Sequence, residues 1–262
     1  MGVLNVTTDS FSDGGRFIDP ERALDHAYYL GESGADILDI GGESSRPGAE
    51  GVTTEEEIKR VIPIIKKAAK KLKIPISVDT VKSEVAERAF DAGASILNDI
   101  SALRMDGKMA ELAAANDAHV ILMHMRGTPA DMQTNTDYDD IIGEIREFLN
   151  ESALKVIEKG IKKEKIIIDP GIGFGKSVDG NFVILKNLDK FLELGYPVMV
   201  GASRKSFIGK TLGVDPDQRL EGSIAAACYA VMNGADIVRV HDVVETRRAI
   251  TIIEKISTAD RA

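Results

Sequence analysis

The chain has 262 residues, of which 44% are hydrophobic and 29% charged, and its formal net charge is −9. This mixture is typical of a folded, water-soluble protein rather than a disordered or membrane-spanning chain. The acidic balance argues against a nucleic-acid partner, because binding to the phosphate backbone needs a basic face. A membrane-spanning helix needs about 18 consecutive apolar residues, and no apolar stretch of this chain is that long. We therefore expect no membrane partner and a cytoplasmic location.

Metal and disulfide chemistry based on cysteine is also excluded by composition. The one cysteine, Cys228, lies in an apolar segment that is typical of a buried helix. A single thiol forms no intramolecular disulfide and supports no cysteine-based zinc site, so we interpret Cys228 as a packing residue.

One pattern repeats along the chain: a short apolar run, a turn, and an amphipathic segment. The eight apolar runs are Gly2–Val6, Asp36–Ile40, Ile74–Val78, Ser95–Leu97, His119–Met123, Lys165–Ile168, Pro197–Val200 and Asp236–Val240. They are nearly continuous in Val, Ile and Leu, which is typical of parallel strands that are covered on both faces. Thr54 and Glu57 have the spacing of a capping box at the start of one amphipathic segment.

Eight strands that alternate with eight helices predict an α/β fold, a single (β/α)8 TIM barrel of roughly 250 residues. The alternative is an open, doubly wound sheet. The sequence shows no linker and no second core, so the prediction is one domain over residues 1–262.

Polar side chains follow every predicted strand. In chain order they are Asn5, Asp39, Asp79, Asn98-Asp99, His124, Asp169, Ser203-Arg204-Lys205 and Arg239 with His241. In a barrel these positions meet at the C-terminal mouth of the strands, where active sites of this fold lie. We therefore expect the active site at that mouth.

The segment Asp169–Ser177, with the letters DPGIGFGKS, resembles two nucleotide-binding motifs and matches neither. Pro170 stands where a Walker A loop needs its first glycine, and Lys176 stands where a dinucleotide fingerprint needs its third. We expect the glycines to let the backbone pass close to a flat ligand, with Asp169 held at the strand end. His124 lies between two methionines, and a single histidine in such a position is more often a hydrogen-bonded part of the wall of a site than a catalytic group. Both interpretations stay open.

Two loops and two cationic segments complete the predicted site. The loops at residues 7–15 and 41–48 are rich in glycine and small polar residues, and we expect them to act as lids that present Asp13 and Arg46. The segments 203–206 and 239–241 follow the last two strands, where barrels commonly bind phosphate, and three cations there are expected to compensate a diphosphate.

The order of these motifs resembles one family along the whole barrel. The opening MGVLNVTTDSFSDGG is similar to the first signature of dihydropteroate synthases, and DIGGESSRPGA is similar to the second. They are followed in the family's order by SVDT, LND, LMHM, DPGIGFGK, ASRKS and RVHD.

The resemblance implies a role for each matching position. Diphosphate-binding residues would be Asn5, Ser45, Arg239 and His241, with Asn5 also holding an Mg²⁺ cofactor. Pterin-binding residues would be Asp79, Asn98, Met123, Asp169 and Lys205. Residues of the aminobenzoate pocket would be Arg46, Pro47, Phe174 and Ser206. Catalytic residues would be Asp13, Arg46, Asp169 and Lys205. The resemblance also implies a homodimer that is a target of sulfonamides.

The implied reaction joins a dihydropterin methylene diphosphate to 4-aminobenzoate. Diphosphate is a good leaving group once Mg²⁺ and cations neutralise its charge. Positive charge on the methylene is delocalised into the pterin ring, so an SN1-like displacement is expected. Two alternatives stay open: a methyltransferase that takes methyl from methyltetrahydrofolate to a corrinoid protein, and a non-catalytic pterin-binding module. The methyltransferase has no use for the cationic segments or for Arg46. The binding module should lack the lid residues, whereas Asp13 and Arg46 are both present.

Overall fold

The structure is a computed structural model that describes residues 1–7, 20–45, 48–49 and 51–259. Its eight strands are β1 (Gly2–Asn5), β2 (Leu38–Gly41), β3 (Ile76–Asp79), β4 (Ile96–Asp99), β5 (His119–Met123), β6 (Ile166–Asp169), β7 (Met199–Val200) and β8 (Ile237–Val238). Six of the eight begin one or two residues later than the apolar runs predict. β2, β3, β4 and β6 also end one or two residues later, because the residues that follow those runs still pair with a neighbouring strand.

The strands form a closed parallel barrel. β1 to β6 pair in sequential order and β7 pairs with β8. A parallel bridge between Ile168 and Val198 joins β6 to β7, and a second bridge between Gly2 and Val240 joins β8 back to β1. The (β/α)8 barrel is therefore confirmed and the open sheet is wrong.

Ten α-helices surround the barrel in the described part of the chain. They are α1 (Pro20–Glu32), α2 (Thr54–Lys71), α3 (Ser83–Ala92), α4 (Met109–Ala115), α5 (Ile141–Glu158), α6 (Val178–Lys186), α7 (Leu188–Leu192), α8 (Ser206–Leu212), α9 (Leu220–Met232) and α10 (Val243–Thr258). The prediction of eight helices is wrong at two connections, since β6 is followed by both α6 and α7, and β7 by both α8 and α9.

The start of α2 differs from the predicted capping box. Thr53, not Thr54, is the N-cap, and its hydroxyl accepts a hydrogen bond from the Glu56 amide at 3.2 Å. Glu57 is only 1% exposed and pairs with Lys82 at 2.6 Å instead of reaching back to the cap. The capping-box prediction was therefore one residue out of register.

The barrel interior is divided into an apolar floor and a polar mouth. The floor consists of Met1, Ile37, Ile96, Ile121, Ile167, Met199 and Ile237. The larger core lies between the barrel and the helices and contains the outward-facing strand residues, such as Leu38, Ile40 and Leu97. Because the floor is filled by side chains, ligand access is left to the mouth. Of the helices described, none is both long and apolar enough to cross a membrane.

Candidate active site

Arg239 lies at the centre of an ion network that joins three strand ends. Its Nε donates to Asp39 Oδ2 at 2.6 Å, and its Nη2 donates to Asp79 Oδ2 at 2.7 Å. The same Asp39 oxygen accepts from Asn98 Nδ2 at 3.2 Å. The ends of β2, β3 and β4 and the segment after β8 are thereby held together, and three residues predicted for two subsites become neighbours.

The charges of this network perturb one another. Burial raises the pKa of Asp79 to about 7, although Arg239 opposes the shift, and Asp39 adds to it. Burial alone would lower the pKa of Arg239, but the carboxylates of Asp39 and Asp79 raise it. Arg239 is therefore a fixed cation at the mouth, while Asp79 titrates near neutral pH.

Asp169 and Lys205 form a second charged group across the mouth. Asp169 Oδ1 accepts a hydrogen bond from the Gly171 amide at 2.7 Å. Burial raises the pKa of Asp169, and the nearby Lys205 opposes that shift. Burial lowers the pKa of Lys205 to about 7, against the raising effect of Asp169. The Lys205 ammonium also donates to the Ile172 carbonyl.

The glycine-rich turn after β6 packs against β5. Gly171 has φ +71°, and a Cβ atom there would lie 1.9 Å from the His124 carbonyl oxygen. A Cβ on Gly175 would lie 2.8 Å from the Arg126 carbonyl oxygen. These glycines therefore allow the turn to approach the neighbouring strand end closely, and the expected approach to a flat ligand stays a prediction. At position 171 only glycine both adopts a positive φ without strain and leaves room for the His124 carbonyl oxygen.

His124 is a buried, neutral part of this wall. Its Nδ1 accepts from Lys176 Nζ at 2.9 Å, and the same ammonium donates to the Phe174 carbonyl at 2.8 Å. Burial, with the charges of Lys176 and Arg126 added, lowers the pKa of His124 to about 2. The geometry favours the hydrogen-bonded wall over a catalytic histidine.

An apolar group covers one side of the mouth. Met123, Met125, Met132 and Phe174 are buried together. Lys205 Nζ lies 4.2 Å from the centre of the Phe174 ring. The two predicted ligand-contacting apolar residues, Met123 and Phe174, are thus brought together beside Lys205.

The segments after β7 and β8 are joined side by side. The Ser203 hydroxyl lies 3.1 Å from His241 Nδ1 and accepts from the His241 amide at 3.2 Å. Arg204 is paired with Asp242 through two contacts, of 2.9 and 2.5 Å. Of the three cations predicted for diphosphate, Arg204 pairs with one carboxylate and Arg239 with two, which corrects the expectation of three cations without other partners.

The remaining predicted residues are placed less fully. Asn5 ends β1, Ser45 lies in the loop after β2, and Ser206 is the exposed first residue of α8. Asp13, Arg46 and Pro47 lie outside the described residues, so their roles stay predictions.

A buried ion group at the base of the second loop was not predicted. Lys82 bridges Glu57, at 2.6 Å, and Glu43, and Arg60 donates to the Gly42 carbonyl at 2.9 Å. The sequence contains one signal for it. Glu57 falls on the same helical stripe as the buried Val61, Ile64 and Ala68, where an acidic residue needs a partner.

Comparison with known proteins agrees with this geometry. The profile of the family described as pterin binding enzyme matches residues 1–241. A dihydropteroate synthase of Synechocystis is 49% identical over 93% of this chain and 84% of its own. The chain belongs to the dihydropteroate synthases.

Two solved dihydropteroate synthases of Xanthomonas albilineans share the fold. One, holding 4-aminobenzoic acid, has a TM-score of 0.93 and 45% identity over 99% of this chain and 93% of its own. The other, in complex with 7,8-dihydropteroate, has a TM-score of 0.89 and 42% identity over the same shares. Both solved structures therefore match the whole barrel.

Proposed function

We propose that the protein is a transferase that condenses (7,8-dihydropterin-6-yl)methyl diphosphate with 4-aminobenzoate to give 7,8-dihydropteroate and diphosphate. The observation that carries the proposal is the division of the mouth into two charged groups. One group is Asp169 with Lys205, and the other is Arg239 with Asp39 and Asp79. The carboxylates and Lys205 suit a pterin, and Arg239, with His241 two residues along the chain, suits a diphosphate. The relatives with bound 4-aminobenzoic acid and 7,8-dihydropteroate support the same substrates.

The pterin is proposed to bind between Asp169 and Asp79. A carboxylate is an acceptor-only group, which matches the neighbouring amino and ring N–H donors of a pterin. One Asp169 oxygen is already bonded to Gly171, so the second is the one left for the ligand. Lys205 and Asn98 supply donors for the pterin oxygen and ring nitrogens, and Met123 supplies an apolar surface.

The diphosphate is proposed to bind at the strand ends and loops that carry Arg239, His241, Ser45 and Asn5. The Asn5 side chain makes no hydrogen bond within the described part of the chain, so its amide oxygen is available to a cation. A neutral amide oxygen is a ligand that Mg²⁺ accepts when phosphate oxygens and water supply the rest. Bound there, Mg²⁺ would neutralise charge that develops on the departing diphosphate.

The displacement is proposed to begin with cleavage of the bond between the methylene carbon and the diphosphate oxygen. The bonding electrons leave with diphosphate, where Arg239 and His241 stabilise the added charge. The positive charge on the methylene spreads into the pterin ring, and Asp169 and Asp13 are proposed to stabilise it. The 4-aminobenzoate nitrogen then forms the new C–N bond and loses a proton to solvent. A weakly basic arylamine needs no strong general base, in keeping with a neutral His124.

The aminobenzoate is proposed to bind over Phe174, next to Lys205, with Ser206, Arg46 and Pro47 around it. Support comes from the Phe174 ring, which is fixed beneath the Lys205 ammonium, and from exposed Ser206 at the adjacent start of α8. The contact between Phe174 and Lys205 supports a pocket beside the pterin group, as transfer between the two substrates requires.

A diphosphate-release assay tests the proposed function. Purified protein with Mg²⁺ and the dihydropterin diphosphate is expected to release diphosphate at a rate that rises saturably with 4-aminobenzoate. A protein that releases no diphosphate under these conditions, or that instead demethylates methyltetrahydrofolate, is not a synthase.

We further propose a homodimer that forms through α9 and α10. These helices pack together and expose four large apolar side chains, from 45% for Tyr229 to 67% for Ile256, with Met232 and Ile252 between them. Spacings of three and four residues place each pair on one helix face. An exposed apolar patch of this kind marks an interaction surface. A cytoplasmic location stays a prediction.

A further inference from the structure

One ion pair joins the two cation-bearing segments without belonging to either proposed subsite. Arg204 Nε donates to Asp242 Oδ2 at 2.9 Å, and Arg204 Nη2 donates to Asp242 Oδ1 at 2.5 Å. Arg204 directly precedes Lys205, and Asp242 directly follows His241. This two-point contact therefore links the backbone next to the pterin group with the backbone next to the diphosphate group.

Arg204 is held in an unfavourable backbone conformation. Its φ is +57°, in the left-handed region that side chains with a Cβ rarely adopt. Its amide donates to Ser223 Oγ at 2.8 Å, and its carbonyl accepts from Arg219 Nη1 at 3.0 Å. Strain of this kind persists only where surrounding contacts over-determine it, and it is concentrated at functional sites.

The hydrogen bond from Arg219 to the Arg204 carbonyl requires a glycine at position 209 of α8. A Cβ on Gly209 would lie 2.3 Å from Arg219 Nε, so a glycine makes the space in which Arg219 reaches the Arg204 carbonyl. The side chain, the amide and the carbonyl of Arg204 are thus each bound by a different residue. Asp242, before α10, binds the side chain, and the backbone is bound by Ser223 in α9 and by Arg219 at its N-cap. Arg204 is therefore held at its side chain and at both backbone polar groups, unlike an ordinary surface arginine.

We propose that the Arg204–Asp242 pair is a clamp that sets the distance between Lys205 and His241, so that one substrate reaches both groups at once. The inference rests on the proposed function, in which pterin and diphosphate are two ends of one molecule. Arg204 and Asp242 are positioning residues, because neither is required to touch the substrate.

The clamp predicts a particular pattern of affinities. A molecule that occupies two subsites binds more tightly than its separate halves because the second contact is intramolecular, and this gain depends on the spacing between subsites. A misplacement of about 1 Å costs on the order of 100-fold in such a system. Loss of the clamp should therefore weaken the intact substrate and leave each half unaffected.

Arg204→Gly is the informative variant, since glycine adopts φ +57° without strain and the backbone is kept while the side chain is removed. Asp242→Asn removes the carboxylate of the same ion pair. Arg204→Lys keeps the positive charge but loses the two-point hydrogen bonding of the guanidinium group. The matched control is Arg247→Ala, which breaks the Arg247–Asp36 pair of α10 with the segment before β2, at 3.0 Å and away from the mouth.

Two measurements are made on the full-length protein: equilibrium binding of the dihydropterin diphosphate, and separate binding of 6-hydroxymethyl-dihydropterin and of pyrophosphate with Mg²⁺. Both Arg204→Gly and Asp242→Asn should weaken the intact substrate, and raise its KM, by roughly 10- to 100-fold. Binding of the two halves should be unchanged, and Arg204→Lys should recover part of the loss. The double variant should lose no more than the worse single variant, because the two residues act as one unit.

The clamp is refuted if wild-type turnover is normal and Arg204→Gly binds the intact substrate as tightly as the Arg247→Ala control does. It is also refuted if both halves weaken as much as the intact substrate, since that pattern means a general loss of structure. Absence of synthase turnover in the wild-type protein is a different result, which overturns the proposed function and the clamp with it.

Discussion

Replacing Asp169 with Asn changes one oxygen of the proposed pterin site into an amino group of nearly the same shape. The amide oxygen can still accept from Gly171, which now bonds Asp169 Oδ1 at 2.7 Å, so the turn after β6 should stay folded. The amino group then faces the pterin donors, and a charge-assisted contact is lost. A hydrogen bond to a charged group contributes about 1.5–3 kcal/mol, which corresponds to about 10- to 150-fold in affinity.

The same substitution acts on Lys205. The Asp169 carboxylate raises the pKa of Lys205, which burial has lowered to about 7, so its removal lowers that pKa further. At pH 7 Lys205 would then be mostly neutral. Pterin affinity should therefore be measured at pH 6 as well, where part of the loss is recovered as Lys205 becomes protonated.

The assay is an equilibrium titration with a dihydropterin, followed by its fluorescence, together with a thermal melt of each variant. Asp99→Asn is the matched control, because Asp99 is a buried strand-end carboxylate that bonds Ser101 at 2.6 Å rather than facing the proposed ligand. Unchanged pterin affinity in Asp169→Asn would remove Asp169 from the site. Equal weakening in Asp99→Asn would show that the effect is not specific to Asp169.

Three further predictions concern stability, metal and assembly. Because the pKa of His124 is about 2 in the folded state and 6.5 unfolded, the unfolded chain takes up the proton first, so stability is lost as pH falls below 6.5. His124→Gln removes this loss, and from pH 6.5 to 4.5 the variant should gain about 2.3 kcal/mol relative to wild type in denaturant melts; a constant difference would contradict it. Calorimetry should detect Mg²⁺ binding only together with pyrophosphate, and Asn5→Ala should weaken that binding; tight binding by the protein alone would contradict the role of Asn5. Met232→Asp with Ile256→Asp should convert a dimer to a monomer in analytical ultracentrifugation, and a wild-type monomer would refute the α9–α10 interface.

The barrel was predictable from the sequence because its strands are continuous apolar runs with polar residues at one end only. The lengths of β7 and β8 were not. The runs Pro197–Val200 and Asp236–Val240 predict four and five residues, whereas each strand has two. Pro197 donates no hydrogen bond, and Val198 and Val240 pair through single bridges at the barrel seam. Closure of the barrel, rather than local propensity, decides where those strands end.

Polar residues at the mouth were predictable as a set, but their partners were not. Asp39 was only the polar residue at one of eight strand ends, yet it binds Arg239, 200 positions away along the chain. That pairing depends on β8 returning beside β1 and β2, and local sequence carries no information about it. The commitment of Arg204 to Asp242 was missed for the same reason, which is why a count of cations overestimated the charge available to diphosphate.

The identity of the product is the most direct test of the proposed synthase reaction. Wild-type protein is incubated with dihydropterin diphosphate, 4-aminobenzoate and Mg²⁺, and the products are quantified over time by mass spectrometry and a diphosphate assay. We expect 7,8-dihydropteroate to accumulate in equal amounts with diphosphate, and none to form when 4-aminobenzoate is withheld. Diphosphate without dihydropteroate, or no conversion of either substrate, would contradict it.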